Sequence, residues 1–141
     1  TTNSKNAGSY TAIFTLNDGN AWSDGTTEPK SVVWKIGKQS QGSDFDVSGA
    51  TKIDSIQIEM YEGDTAYVTC YSTNGDGAVS ATPKNSYPDY VTASVNGKKI
   101  TVNAKKAHSS GAAIIFAAIT CAETTNYKIN TKNISVKILP K

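Results

Sequence analysis

Two stretches of the chain share one pattern: an apolar strand, a polar loop with an aromatic residue, and an alternating return strand. They span residues 8–36 and residues 111–138. In the return strands every second residue is apolar, and such alternation is typical of a β-strand with one buried face. Only the second copy follows enough chain to complete a domain. The pattern therefore predicts the C-terminal hairpin of one β module in residues 1–40, followed by a complete module in residues 44–141.

The composition favours strands throughout. Thr, Ser, Val, Ile and Tyr are plentiful and Leu is scarce. From residue 55 onward about seven strand segments follow one another at short intervals, separated by turn sequences such as Asn96-Gly97. The polar segment Lys38-Gln-Ser-Gln-Gly-Ser43 has the composition of a linker. We therefore predict an all-β chain whose larger module is a two-sheet antiparallel β-sandwich.

The two cysteines, Cys70 and Cys121, each end a strand segment. By period-2 counting, Cys70 shares a face with Ala66 and Val68, and Cys121 shares one with Ala113, Ile115, Ala117 and Ile119. This predicts that four side chains are buried: Val68, Cys70, Ile115 and Ile119. Two interpretations of the cysteines stay open, a disulfide between the sheets or two buried free thiols that pack as small apolar groups.

Several functional classes have little support. All 14 basic residues are Lys and the net charge is +2, which disfavours a nucleic-acid partner because Arg supplies the fork that reads phosphates and base edges. No apolar run approaches the roughly 20 residues that cross a bilayer, so no membrane insertion is expected.

His108 is the single histidine and predicts neither a catalytic triad nor a metal or cofactor site. Asp44 and Asp46 could ligate calcium, but turn-forming aspartate is the favoured interpretation.

Two aromatic residues are candidate ligand contacts. Trp22 lies beside a turn, and Tyr87 lies in a polar stretch before a strand. Large aromatic rings with a polar group often occupy sites where one side is apolar and the other wet. A sugar-stacking platform is therefore the binding site that these residues would form.

Several short motifs also resemble one family. They are Glu62-Gly63-Asp64-Thr65-Ala66, Gly75-Asp76-Gly77-Ala78-Val79, Val95-Asn96-Gly97-Lys98-Lys99-Ile100-Thr101-Val102 and Thr125-Asn126-Tyr127, with Gly8-Ser9-Tyr10-Thr11 and Trp22-Ser23-Asp24-Gly25-Thr26 in the first copy. With these motifs the chain resembles the bacterial immunoglobulin-like repeats of Gram-positive surface proteins and tailed-phage virion proteins. The resemblance implies an immunoglobulin-like sandwich, and in that fold an inter-sheet disulfide would join Cys70 and Cys121.

The resemblance also implies a function, a location and partners. The expected function is a non-enzymatic structural or adhesive module, without cofactor, in an extracellular protein of a bacterial surface or a phage particle. Its partners would be neighbouring repeats, and a cell-surface glycan or a host surface protein. The alternative is a carbohydrate-binding accessory domain of a cell-wall-active enzyme.

Overall fold

The computed structural model describes residues 5–141, which form β-strands and no helix. The predicted all-β class is confirmed. The strands are β1 (Gly8–Phe14), β2 (Lys30–Ile36), β3 (Gly42–Ser48), β4 (Thr51–Lys52), β5 (Gln57–Tyr61), β6 (Thr65–Thr73), β7 (Val79–Pro83), β8 (Val91–Asn96), β9 (Lys99–Ala104), β10 (Ile114–Cys121) and β11 (Asn130–Leu139).

These strands form three sheets. β1 and β2 pair only with each other, while the rest form a five-stranded sheet in the order β4-β5-β11-β10-β7 and a four-stranded sheet in the order β3-β6-β9-β8. Among the named strands the pairing is antiparallel except between β5 and β11, which run parallel from Gln57↔Ser135 to Tyr61↔Leu139. The expectation of a purely antiparallel sandwich is therefore wrong at this pair. A parallel pair needs a long connection, and here all the strands from β6 to β10 lie between its two members.

The two larger sheets enclose one hydrophobic core, as in a β-sandwich. Its largest members are Phe45 from the four-stranded sheet and Phe116 from the five-stranded sheet, both completely buried. Each fully buried side chain of this size contributes roughly 1.5–3 kcal/mol through the removal of apolar surface from water. Along β11 the alternating residues Ile134, Val136 and Ile138 all point into the core, as their spacing predicts.

A β-bulge in β10 changes which side chains face the core. The pairing with β11 shifts register between Ile115 and Ala117, so Phe116 and Ala117 are both buried although they are adjacent. Val68, Cys70 and Ile119 are buried as predicted, but Ile115 is 44% exposed. The prediction for Ile115 was wrong because period-2 counting back from Cys121 crosses the bulge, where the extra residue reverses the phase.

The segment before β3 does not behave as a free linker. Gln39 forms an isolated parallel bridge with Tyr127, and Gln41 and Ser43 are buried. β3 begins at Gly42, two residues before the expected start of the module at residue 44. Its inward-facing positions are partly polar, which hides the strand from a search for apolar alternation.

The β1–β2 hairpin lies outside the sandwich. Seven residue pairs join its strands, from Gly8↔Ile36 to Phe14↔Lys30, and the rings of Tyr10 and Trp34 stack with their centroids 5.8 Å apart. Its apolar side chains remain largely in water, with Ile13 at 69% exposed. An isolated hairpin is marginally stable at best, so these exposed apolar residues need an explanation beyond the hairpin itself.

No helix among the described residues is long and apolar enough to cross a bilayer.

Candidate functional site

The structure separates the residues predicted to carry function. Trp22 lies in the loop of the β1–β2 hairpin, Tyr87 lies in the loop between β7 and β8, and both cysteines lie in the sandwich core. Trp22 and Tyr87 therefore do not form one aromatic platform.

Trp22 forms hydrogen bonds and a cation–π contact with residues of its own hairpin. Its indole Nε1–H donates to the carbonyl of Glu28 at 2.6 Å, and its backbone N–H donates to the carbonyl of Thr26 at 2.8 Å. The ammonium of Lys30 lies 5.3 Å from the ring centroid, so a cation already covers one face of the ring. A role for Trp22 in ligand contact stays a prediction.

Tyr87 lines an open cavity of about 420 Å³. We call this cavity the Tyr87 pocket. Its walls are the loops after β7 and after β9, and its floor is the outer face of β10 and β11. The lining residues are Lys84, Ser86, Tyr87, His108, Ala112, Ala113, Ile114, Ile115 and Asn133. The volume is in the range of small-molecule sites.

Hydrogen bonds hold the loop that carries Tyr87. The side chain of Asn85 accepts from the N–H of Ala93 at 2.9 Å and donates to its carbonyl at 3.2 Å, so it pairs with β8 like a short strand. The carbonyl of Tyr87 accepts from the N–H groups of Tyr90 and Val91. The loop therefore presents the Tyr87 ring from a fixed backbone, although the ring itself is 57% exposed.

The β10 bulge supplies the apolar floor of the pocket. The bulge turns Ile115 outward, and Ala112 and Ala113 extend the same surface towards the preceding loop. Sequence reasoning found Tyr87 but missed this floor, because a bulge leaves no composition signal in the run Ala112-Ala-Ile-Ile-Phe116.

His108 is oriented by the turn that contains it. Its Nδ1 accepts from the backbone N–H of Ser110 at 3.3 Å and lies 2.8 Å from the Ser110 hydroxyl. Its ring lies 5.0 Å from that of Tyr90, centroid to centroid. Because Nδ1 accepts a hydrogen bond, the ring proton is assigned to Nε2, which is the donor that His108 can offer to a ligand.

Cys70 and Cys121 are free, completely buried thiols in this structure. They belong to opposite sheets, on β6 and β10. The Cys121 thiol donates to the carbonyl of Gly42 at 3.3 Å. Burial raises the pKa of both thiols, that of Cys70 to about 11, which suppresses the reactive thiolate. Formation of the predicted disulfide under oxidising conditions stays a prediction.

Charged side chains join the sheets near the cysteines. Lys132 on β11 donates to the carbonyl of Ser43 on β3, and Lys52 on β4 forms an ion pair with Asp44 at 2.7 Å. Burial lowers the pKa of Lys132. Burial alone would raise the pKa of Asp44, but hydrogen bonds from Lys52 and from the backbone outweigh it and lower that pKa. These contacts tie β3 to the other sheet.

Within residues 5–141 no three His, Cys, Asp or Glu side chains lie close enough to hold a metal ion together.

Comparison of the chain with protein-family models, with curated proteins and with solved structures found no match.

Proposed function

We propose that the chain is a non-enzymatic structural module with an immunoglobulin-like fold. The strand order supports this. In immunoglobulin domains one sheet has the order A-B-E-D and the other contains C, F and G. Here β3-β6-β9-β8 follows the first order, and β7, β10 and β11 take the places of C, F and G. The cysteines then fall on strands B and F, where antibody domains carry their inter-sheet disulfide.

The hairpin fits the last two strands of a preceding module. It has the same sequence pattern as β10–β11, and both are antiparallel pairs. In the sandwich, β10–β11 is flanked by β7 and β5 and packs against the other sheet, whereas β1–β2 has no other strand beside it among the described residues. Strands of a neighbouring module placed beside the hairpin would cover its exposed apolar side chains. The chain would thus belong to a series of modules on a bacterial surface or a phage particle.

The placement of the first and last strands of the sandwich supports a mechanical role. Residue 38 and residue 141 lie at opposite ends of it, because β3 begins beside the end of β6 and β11 ends beside Tyr61. A force applied at these two residues is therefore directed along the strands. It loads the hydrogen bonds between β5 and β11, and those between β3 and β6, all at once rather than one after another.

Single-molecule force measurements test this role. Handles at residues 38 and 141 should give an unfolding force several-fold higher than handles at residues 112 and 141. The second pair lies at the open end of the β10–β11 hairpin, so its bonds break in sequence. The two measurements use the same folded domain, so thermodynamic stability is matched. Equal forces in the two geometries would contradict the proposal.

An adhesive function is the second candidate, and the Tyr87 pocket favours it. An exposed aromatic ring beside polar groups and an apolar floor is a surface on which a sugar ring can stack. Binding of the chain to a glycan array should be lost in Tyr87→Ala. It should persist in Tyr61→Ala, which removes a comparably exposed tyrosine, 51% exposed, at the end of β5. Equal loss in both variants would count against the pocket.

A further inference from the structure

The permanent charge that lines the Tyr87 pocket is positive. Among the described residues that line it, none is acidic, and Lys84 supplies a permanent positive charge. His108 can add its Nε2–H, while Ser86 and Asn133 add a hydroxyl and an amide. A pocket with these groups and no carboxylate favours a ligand that carries negative charge and several acceptors.

The apolar part of the pocket limits the kind of anion. Tyr87 and Ile115 are each about half exposed, and they lie on the wall and floor of one cavity. A small inorganic anion would leave this apolar surface wet. A ligand with an extended C–H face would cover it, and the burial would add affinity in proportion to the apolar area.

We propose that the Tyr87 pocket binds a saccharide that bears a carboxylate, such as a uronic acid. The sugar ring packs on Tyr87 and Ile115, and the carboxylate pairs with the Lys84 ammonium. This inference rests on the adhesive function proposed above and adds the chemical class of the ligand.

The single ammonium matches a carboxylate better than a phosphate or sulfate group. Strong phosphate sites surround the group with several donors, such as an arginine fork or a nest of backbone N–H groups beside a lysine. This chain contains no arginine, and among the described residues that line the pocket Lys84 is the only lysine. A charge-assisted hydrogen bond from lysine to carboxylate needs one ammonium only. The pair would lie at an open cavity, so salt should weaken it.

NMR titration of the full chain tests the inference with two probes, methyl β-glucuronide and methyl β-glucoside. The two sugars differ only in a carboxylate against a hydroxymethyl group. We expect both to shift the amide resonances of residues 84–87 and 108–115, and the glucuronide to bind about tenfold more tightly, which corresponds to about 1.4 kcal/mol. This preference should shrink at high salt.

Three variants make the test specific. Lys84→Gln should reduce glucuronide affinity to that of the glucoside and leave the glucoside unchanged. Tyr87→Ala should abolish both interactions, and Tyr61→Ala should affect neither. The spectra themselves report whether each variant is folded.

Two outcomes would overturn the inference in different ways. Equal affinity for the two sugars at the pocket would refute the carboxylate and leave saccharide binding intact. Absence of shifts at the pocket with either sugar, or glucuronide shifts spread over surface lysines elsewhere, would refute the saccharide function and the carboxylate together.

Discussion

The buried side chain of Gln41 connects three segments at the N-terminal end of the sandwich. Its Nε2 donates to the carbonyls of Ala122 and Lys128, both at 2.8 Å, and its Oε1 accepts from the N–H of Gly77 at 3.0 Å. Gly77 has to be glycine, because an added Cβ would collide with the Ala122 carbonyl and the Gln41 amide. Gln41→Ala removes all three bonds and leaves their backbone partners unpaired.

The expected loss of stability follows from these bonds. An unpaired buried polar group costs about 1–3 kcal/mol. Water can enter the space vacated by the side chain and moderate the cost, so we expect about 3 kcal/mol in total. For a domain of about 100 residues this corresponds to a midpoint lower by roughly 12–24 °C. Urea denaturation at constant m-value measures the free-energy difference directly.

Two further variants sharpen this prediction. Gln39→Ala is the matched control, because Gln39 is exposed and pairs through its backbone; it should change stability by less than about 0.5 kcal/mol. Gln41→Glu would place a carboxylate against two carbonyl oxygens, which raises its folded-state pKa above the unfolded value. Its stability should therefore be lowest at neutral pH and recover as pH falls towards about 4. A Gln41→Ala protein as stable as wild type, or a Gln41→Glu protein without this pH dependence, would refute the reasoning.

Three other predictions follow from the packing. Ile119→Ala should cost roughly 2–5 kcal/mol in urea denaturation, whereas Ile115→Ala should cost less than about 1 kcal/mol, because only Ile119 lies in the core; equal losses would argue against the bulge. The Cys70 thiol should resist thiol reagents at pH 8 until the protein is unfolded, and, because its pKa rises from 9.0 to about 11 on folding, its contribution to stability should be complete below pH 9 and lost as pH rises towards 11. Cys70→Ala should therefore lose less stability than wild type between pH 9 and 11. Deletion of residues 1–37 should lower the melting midpoint of the sandwich only slightly, since the hairpin forms its own sheet, and a large drop would show that the hairpin stabilises the sandwich.

The sequence predicts strands well where one rule decides the side-chain direction. Between Ile134 and Ile138, β11 alternates apolar and polar residues and no bulge interrupts the pairing with β5. Alternation alone therefore places Ile134, Val136 and Ile138 in the core. The hairpin between β8 and β9 is equally local, because its two-residue loop Gly97-Lys98 begins with a glycine that takes the positive φ required there.

Prediction from the sequence fails where the structure of a segment depends on contacts with residues that are distant in the sequence. The polar residues Gln41, just before β3, and Ser43, within it, are buried near Phe45. The side-chain bonds of Gln41 go to residues 36 to 87 positions away. No local pattern contains that information. The parallel pairing of β5 with β11 is likewise a property of the assembled sheets, and the Tyr87 pocket depends on the bulge that turns Ile115 outward.

The Tyr87 pocket lies at the end of the sandwich where the C-terminal strand ends, and this position connects the proposed adhesive and structural functions. The N-terminal connection is made at one end of the sandwich, where Gln39 pairs with residues 126–128. The chain leaves at the other end, where the Glu62 carboxylate accepts from the N–H groups of Ala107 and Lys141. The Tyr87 pocket lies at this second end, because its loops follow β7 and β9 and precede β10. In a series of such modules the pocket would therefore lie beside the junction with the following module. A ligand in the pocket would contact strands close to the C-terminal end of β11, where a force on residue 141 is applied. Force and ligand binding would therefore act on the same end of the domain.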